Sequence, residues 1–253
     1  MLDCIVLAGG GGRRGELVEQ EGVPCKALIK IKGKEMARYV LEAYRSVEEI
    51  QRIVLVGSVE ELGSIAEDYS AQVVPEKETI MQNVAEANRF LNTDRPLLIS
   101  SADIPLIGPG VVEDLLQKCR PFEADFFYSI VDREQNEKLF AGSKRTYVTC
   151  REGIFTGGNI FVVNPAKIEG SLSIMENFMA HRKNPFKLVA LLGPVFVLRF
   201  LTKRLTLPEL EKRFSELLNL KAQAVISDYP ELSFDVDKPG DLEFVRRYLD
   251  KTH

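Results

Sequence analysis

An uninterrupted apolar run, Cys4-Ile5-Val6-Leu7-Ala8, ends in four consecutive glycines, Gly9 to Gly12, followed at once by Arg13 and Arg14. Apolar positions that are continuous rather than alternating specify a strand buried on both faces, the usual condition in a parallel sheet. With no Cβ on four residues in a row, the chain can turn sharply there and aim several N–H groups at one point. Converging N–H groups bind anions, and two arginines with Lys26 nearby indicate a polyphosphate. A merely flexible surface loop is the alternative, disfavoured by its place between a buried strand and two arginines.

Two familiar phosphate loops do not fit. A P-loop needs Gly-Lys-Ser or Gly-Lys-Thr running into a helix, and neither follows these glycines. A dinucleotide fingerprint would use Gly10, Gly12 and Gly15, but Glu16 to Gly22 shows no clear apolar helical stripe and no acidic strand end sits where a ribose contact belongs. The first convincing helix is expected near Glu35.

Further along, apolar spacing predicts a helix over Glu35–Val47, a strand at Arg52–Gly57, a helix at Glu60–Asp68 and a short strand at Gln72–Val74. Thr79 is a fitting cap for a helix to Leu91, and Pro96–Ser100 is again a buried strand. Strands at Ala124–Val131 and Thr146–Cys150 flank a charged excursion, and Pro208–Leu220 is a further amphipathic helix. Strands alternating with helices specify a Rossmann-like, mostly parallel α/β sheet with right-handed crossovers. No repeat or low-complexity linker divides the chain, so one domain over 1–253 is expected, with a helical insertion near 167–220.

In such sheets ligands sit beyond the carboxyl ends of the strands. Asp103, in Ser101-Ala102-Asp103-Ile104-Pro105, follows the strand at Pro96–Ser100 and so shares an edge with the glycine loop. It could instead cap a helix starting near Gly108. Thr156-Gly157-Gly158-Asn159 leads into another apolar run and is open as a hairpin turn or as part of a site. Alternation puts Asp235 and Asp237 on one face of a strand before the last helix, which either could cap. The 186–201 segment is too short and too charged at its ends to span a membrane, and Gly193-Pro194 would kink it. A buried helical hairpin or a homodimer face is preferred there, over an apolar cover for a greasy acceptor or membrane-surface contact through Lys203 and Arg204.

A net charge of −4 removes the basic footprint that nucleic-acid binding needs. The four cysteines form no CxxC pair, and no targeting segment is apparent, so a reducing cytoplasm is expected. With only His181 and His253, catalysis by a Ser-His-Asp or Cys-His arrangement is disfavoured. Carboxylates, Lys, Arg and backbone dipoles remain, and a metal held by two carboxylates plus phosphate and water describes Mg²⁺.

Leu7-Ala8-Gly9-Gly10-Gly11-Gly12-Arg13-Arg14, then Lys26, then Gly33-Lys34-Glu35-Met36 resembles the opening signature of the sugar-phosphate and MobA-like nucleotidyltransferases. The departures are Glu35 in place of Pro, Cys25 between Pro24 and Lys26, and Gly15 where Met is common. The resemblance implies a GT-A-like fold and transfer of NMP from an NTP, GTP or CTP, to a phosphorylated or hydroxyl acceptor, with Mg²⁺ or Mn²⁺ and release of pyrophosphate. Nucleotide contacts are then expected from Leu7, Ala8, Gly9 to Gly12, Arg13, Arg14, Lys26 and Asp103, with Gln82 or Asn83 reading the base. Arg14, Lys26 and Asp103 would be catalytic. Asp103 and Asp237 would hold the metal, with Asp235 the second candidate, and Thr156, Gly157, Gly158 and Asn159 would line the acceptor pocket. Two other classes compete: a GT-A-type glycosyltransferase using Asp235 and Asp237 beside a nucleotide sugar, and a non-catalytic nucleotide- or NAD-binding module.

Overall fold

The computed structural model describes residues 1–9, 15–141, 145–181 and 184–251. The opening apolar run is β1 (Leu2–Leu7), followed by α1 (Glu16–Glu21), the short strands β2 (Lys30–Ile31) and β3 (Lys34–Glu35), and α2 (Met36–Arg45). Next come β4 (Ile50–Val56), α3 (Val59–Asp68), β5 (Gln72–Val74), α4 (Ile80–Leu91), β6 (Leu97–Ser101) and α5 (Pro109–Cys119). The chain continues with β7 (Phe126–Asp132), α6 (Arg133–Leu139), β8 (Val148–Thr149), β9 (Ile154–Val163) and α7 (Ile168–His181). It ends in α8 (Pro185–Leu192), α9 (Pro194–Leu201), α10 (Leu207–Leu218), β10 (Ala222–Ser227) and α11 (Pro239–Lys251).

The main sheet runs β10-β7-β9-β6-β1-β4-β5, with β8 on the side of β9. β1 pairs in parallel with both β4 and β6, and only β9 runs against its neighbours β6, β7 and β8 among these pairs. From β1 the chain winds outward through β4 to β5, then returns across β1 to place β6 on its other side. Strand order therefore reverses between β1 and β6, where diverging connections leave a crevice beyond the carboxyl ends.

Cys4 and Val6 pack into one hydrophobic cluster with α2, α3 and α5, while Ile5 packs into a second with α4, α7 and α10. Burial on both faces is why β1 has no polar alternation. A third cluster, built from Leu17, Ile29, Met36, Phe140, Phe234, Val236 and Val245, lies under α11. Its rings are closely set, with Phe140 and Phe234 centroids 4.4 Å apart.

Several expectations are corrected. Glu16–Glu21 is helical after all: the helix is only six residues long and buries just Leu17 and Val18, too few to show a stripe. The charged excursion contains α6, whose first turn is capped by Asp132 Oδ1 accepting from Glu134 N at 2.7 Å. Gly157-Gly158 is no hairpin turn but the interior of β9. A Cβ on Gly157 would stand 1.8 Å from the Tyr128 hydroxyl, and one on Gly158 2.2 Å from Ser129 Oγ and 3.1 Å from the Ser129 backbone oxygen. The glycines thus make room for β7, whose register shifts between Tyr128 and Ile130. The Tyr128 hydroxyl can move only with its ring, which is stacked on Phe161, and the Ser129 oxygen only with its backbone. Gly157→Ala and Gly158→Ala are therefore each expected to cost about 1–3 kcal/mol in urea denaturation. An unchanged midpoint for either variant would contradict this packing account.

The 186–201 segment is a helical hairpin broken at Gly193, where φ is 116°, but it is only partly buried: Val189 and Leu192 are buried, while Phe186, Val195, Leu198 and Leu201 are exposed.

Candidate active site

Beyond β1 the sheet hydrogen bonding is prolonged by Ala8 and Gly9, whose N–H groups both reach Val56 O, at 2.9 and 2.8 Å. The Gly9 N–H is thus engaged in the sheet, and what this residue supplies is space. A Cβ there would stand 2.0 Å from Glu76 Oε2. Gly57, at the end of β4, is held to the same closeness, since its Cβ would come within 3.3 Å of Gly9 N. Gly10, Gly11, Gly12, Arg13 and Arg14, expected to complete the phosphate cup, lie outside the described residues.

On the other side of β1, Ala102 N donates to Leu7 O at 2.9 Å, so the chain leaving β6 is pinned beside the end of β1. Asp103 comes next, and its carbonyl accepts from Val236 N at 2.9 Å, which draws the C-terminal segment to the same edge. Phe234 and Val236 are buried and alternate with Asp235 and Asp237. The alternation therefore holds, although the backbone is not a strand as expected but an extended connection ahead of α11. At the start of α11, Asp241 Oδ2 accepts from Asp237 N at 3.2 Å and Lys238 N at 3.1 Å, fixing the turn that follows the aspartates.

Lys26 begins a 3-10 turn (Lys26–Leu28) anchored by buried Ala27. Its Nζ lies 2.9 Å from Asp103 Oδ2 and 2.7 Å from Asp237 Oδ1. Burial opposes the charge on Lys26, but the two carboxylates outweigh it and raise the ammonium above its ordinary pKa. Asp103, Asp235 and Asp237 each offer a carboxylate oxygen within 4.8 Å of the others. Three segments far apart in sequence thus meet at the crevice between β1 and β6.

Asp235 is the strained member. Burial lifts its pKa above 3.8, the ion pair with Arg145 pulls it back, and Asp103 and Asp237 push it up again. Arg145 is also set 5.1 Å over the Phe234 ring. A carboxyl whose folded pKa is raised favours folding below its unfolded pKa and loses that contribution as pH rises through the folded value. At neutral pH ionised Asp235 is thus a cost. Asp235→Asn, which keeps an oxygen for Arg145, is expected to raise the melting temperature at pH 7, with the gain shrinking toward acid. A lower melting temperature at pH 7 would refute the assignment. Arg145 had no signal in the sequence, being one basic residue in a polar loop.

At the start of α4, Thr79 and Gln82 form a capping box: Thr79 Oγ1 accepts from Gln82 N at 3.2 Å and Gln82 Oε1 from Thr79 N at 3.3 Å. Asn83 is buried and its Oδ1 accepts from Lys77 N. Both expected base-reading residues therefore also shape the loop carrying Glu76. On β9, Thr156 is buried, and Asn159 Nδ2 is buried with no hydrogen-bond partner among the described residues. Ser101 Oγ is in the same condition. Alternation with Ile99 and Phe161 puts both on the sheet face covered by α4 and α7. Such orphaned groups are uncommon inside proteins and suit a polar ligand. Ser101 was missed because a serine at a strand end carries no distinguishing pattern.

Residues 4–168 match the family described as the MobA-like NTP transferase domain. The chain belongs to this family. It is also 33% identical to a hypothetical transferase from Thermus thermophilus, over 95% of this chain and 98% of the other, with a TM-score of 0.81. The fold is shared with two more distant structures. One is 4-diphosphocytidyl-2C-methyl-D-erythritol synthase from Anaerococcus prevotii, at 13% identity over 98% of this chain and 96% of that, TM-score 0.58. The other is CMP:2-keto-3-deoxy-manno-octonic acid synthetase complexed with CTP, at 14% identity over 100% and 98%, TM-score 0.62. No protein of curated function matches the chain. In this MobA-like NTP transferase the family match ends before Asp235 and Asp237, so the C-terminal aspartates reach the site from beyond the matched span.

Proposed function

We propose that the protein transfers a nucleoside monophosphate from an NTP, GTP or CTP, to a small phosphorylated acceptor and releases pyrophosphate. The observation that carries this reading is the meeting of Lys26, Asp103, Asp235 and Asp237 beyond β6, at the point where strand order reverses. An acceptor phosphate oxygen attacks the α-phosphorus, forming one P–O bond. The bond from that phosphorus to the β-phosphate breaks, and its electron pair leaves with pyrophosphate. An ionised phosphate has no proton to lose, so no general base is needed, which agrees with a chain holding two histidines.

The carboxylate cluster suits a hard divalent cation by its chemistry, oxygen donors without thiol or imidazole, and among such cations Mg²⁺ or Mn²⁺ fits a phosphate substrate. Asp103 and Asp237 would hold it, with Asp235 kept in reserve by Arg145, and when bound it would neutralise charge on the phosphates. Lys26 then turns to the α-phosphate region, where its ammonium offsets the charge that grows during displacement. Arg14 and the glycines Gly10 to Gly12 are assigned to the β,γ-phosphates, Gln82 and Asn83 to the base, and Thr156 to Asn159 to the acceptor. Rigid placement of both reactants does most of the work.

Four NTPs screened against a panel of phosphorylated acceptors, with pyrophosphate as the readout, test the reading. One pair should release pyrophosphate only with Mg²⁺ or Mn²⁺ present. Cleavage of a nucleotide sugar with no pyrophosphate from any NTP would favour a glycosyltransferase. Nucleotide binding unaffected by EDTA, without turnover, would leave a binding module.

A further inference from the structure

Helices on the surface of a water-soluble domain turn their apolar stripe to the core. α9 does this with one stripe and the reverse with another. Phe196 and Phe200 pack on the cluster of Ile130, Cys150, Phe155 and Leu205. On the opposite side Val195, Leu198 and Leu201, spaced three residues apart, are 58%, 63% and 60% exposed. No residue of α9 is fully buried. Phe186 of α8 is exposed as well, its ring 5.2 Å from that of Phe200 and at right angles to it.

The charge along this segment is one-sided. Between Glu176 and Glu209 the sequence holds six lysines and arginines and no acid, in a chain whose net charge is −4. Arg199 is paired with Glu209, while Lys187, Lys203 and Arg204 are exposed. No helix among the described residues is long and apolar enough to cross a membrane. Exposed apolar side chains rimmed by cations on a short helical pair are the composition of an element lying in a bilayer interface.

The geometry points to the α8–α9 hairpin as a docking surface for an anionic lipid bilayer, entered by Phe186, Val195, Leu198 and Leu201 and held by Lys203 and Arg204. A second copy of the chain suits the surface less well. A two-fold contact would set Lys187, Lys203 and Arg204 against their own equivalents, and the segment has no acid to separate them. The acidic remainder of the chain is repelled by an anionic bilayer, which orients the hairpin toward it. The inference is independent of the catalytic reading, because its test measures partitioning alone.

The full chain is sedimented with vesicles of pure phosphatidylcholine and with vesicles containing about one-third phosphatidylglycerol. It is expected to pellet with the second and not the first, and to be released near 1 M salt, where the Debye length is about 3 Å. Leu198→Asp should abolish pelleting. Lys203→Glu with Arg204→Glu should weaken it by at least about fivefold per charge removed. All these side chains are exposed, so thermal melts followed by circular dichroism should match the parent. Failure to pellet with anionic vesicles overturns the proposal, as does equal pelleting with pure phosphatidylcholine. A concentration-dependent dimer in sedimentation velocity, dissolved by Leu198→Asp and accompanied by no vesicle binding, would assign the surface to a second copy.

Discussion

Asp103→Ala is expected to lower turnover by about 10²–10³-fold, equivalent to roughly 2.7–4 kcal/mol of transition-state stabilisation. The fold should survive. Asp103 is held by its backbone, through Val236 N to Asp103 O and through Ala102 N to Leu7 O, and neither bond involves the side chain. What the substitution removes is a carboxylate that contacts Lys26 at 2.9 Å and belongs to the aspartate cluster. Two measurements separate the effects: pyrophosphate release for turnover, and a thermal melt for the fold. Unchanged turnover in a folded variant would remove Asp103 from the site.

Lys26→Met is expected to act in opposite directions on two readouts. Turnover falls by about 10²–10³-fold, because no ammonium remains near the reacting phosphate. Binding of Mn²⁺ without nucleotide, followed by its electron paramagnetic resonance signal, tightens by on the order of tenfold or more. In the free protein the ammonium lies between Asp103 and Asp237, against the oxygens a cation would use. Two charges about 4 Å apart interact by about 1 kcal/mol in bulk water and about 4 kcal/mol near a protein surface, so removing the resident cation relieves a real repulsion. The same reasoning has Mn²⁺ and nucleotide assisting each other in the parent, since the nucleotide gives Lys26 another anion to meet. If Lys26→Met binds Mn²⁺ no better than the parent, the ammonium and the metal do not compete, and the metal belongs elsewhere.

Much of the candidate site could be read from order along the chain. A buried strand running into four glycines, and an aspartate two residues past another buried strand, can only be neighbours if both strands are parallel in one sheet. Phe234 and Val236 put Asp235 and Asp237 on one side whether or not the backbone pairs as a strand, because it is their burial that sets the alternation. Other features carried no local signal. α1 is too short for a stripe, and β10 pairs with β7 at the sheet edge with partly exposed residues, so neither has strong periodicity. Gly157 and Gly158 were open as a turn or as part of a site because a sequence cannot reveal that Tyr128 and Ser129 stand opposite.

By itself, then, the amino-acid sequence determined the mostly parallel sheet and the identity of the charged groups, because hydrophobic periodicity acts over a few residues. Tertiary structure alone decided that Lys26 sits between Asp103 and Asp237, that Arg145 reaches Asp235, and that one face of the α8–α9 hairpin is left open. Each of these depends on segments tens to hundreds of residues apart being packed together, and the energy that brings them into contact comes from the buried clusters beneath rather than from the side chains that meet.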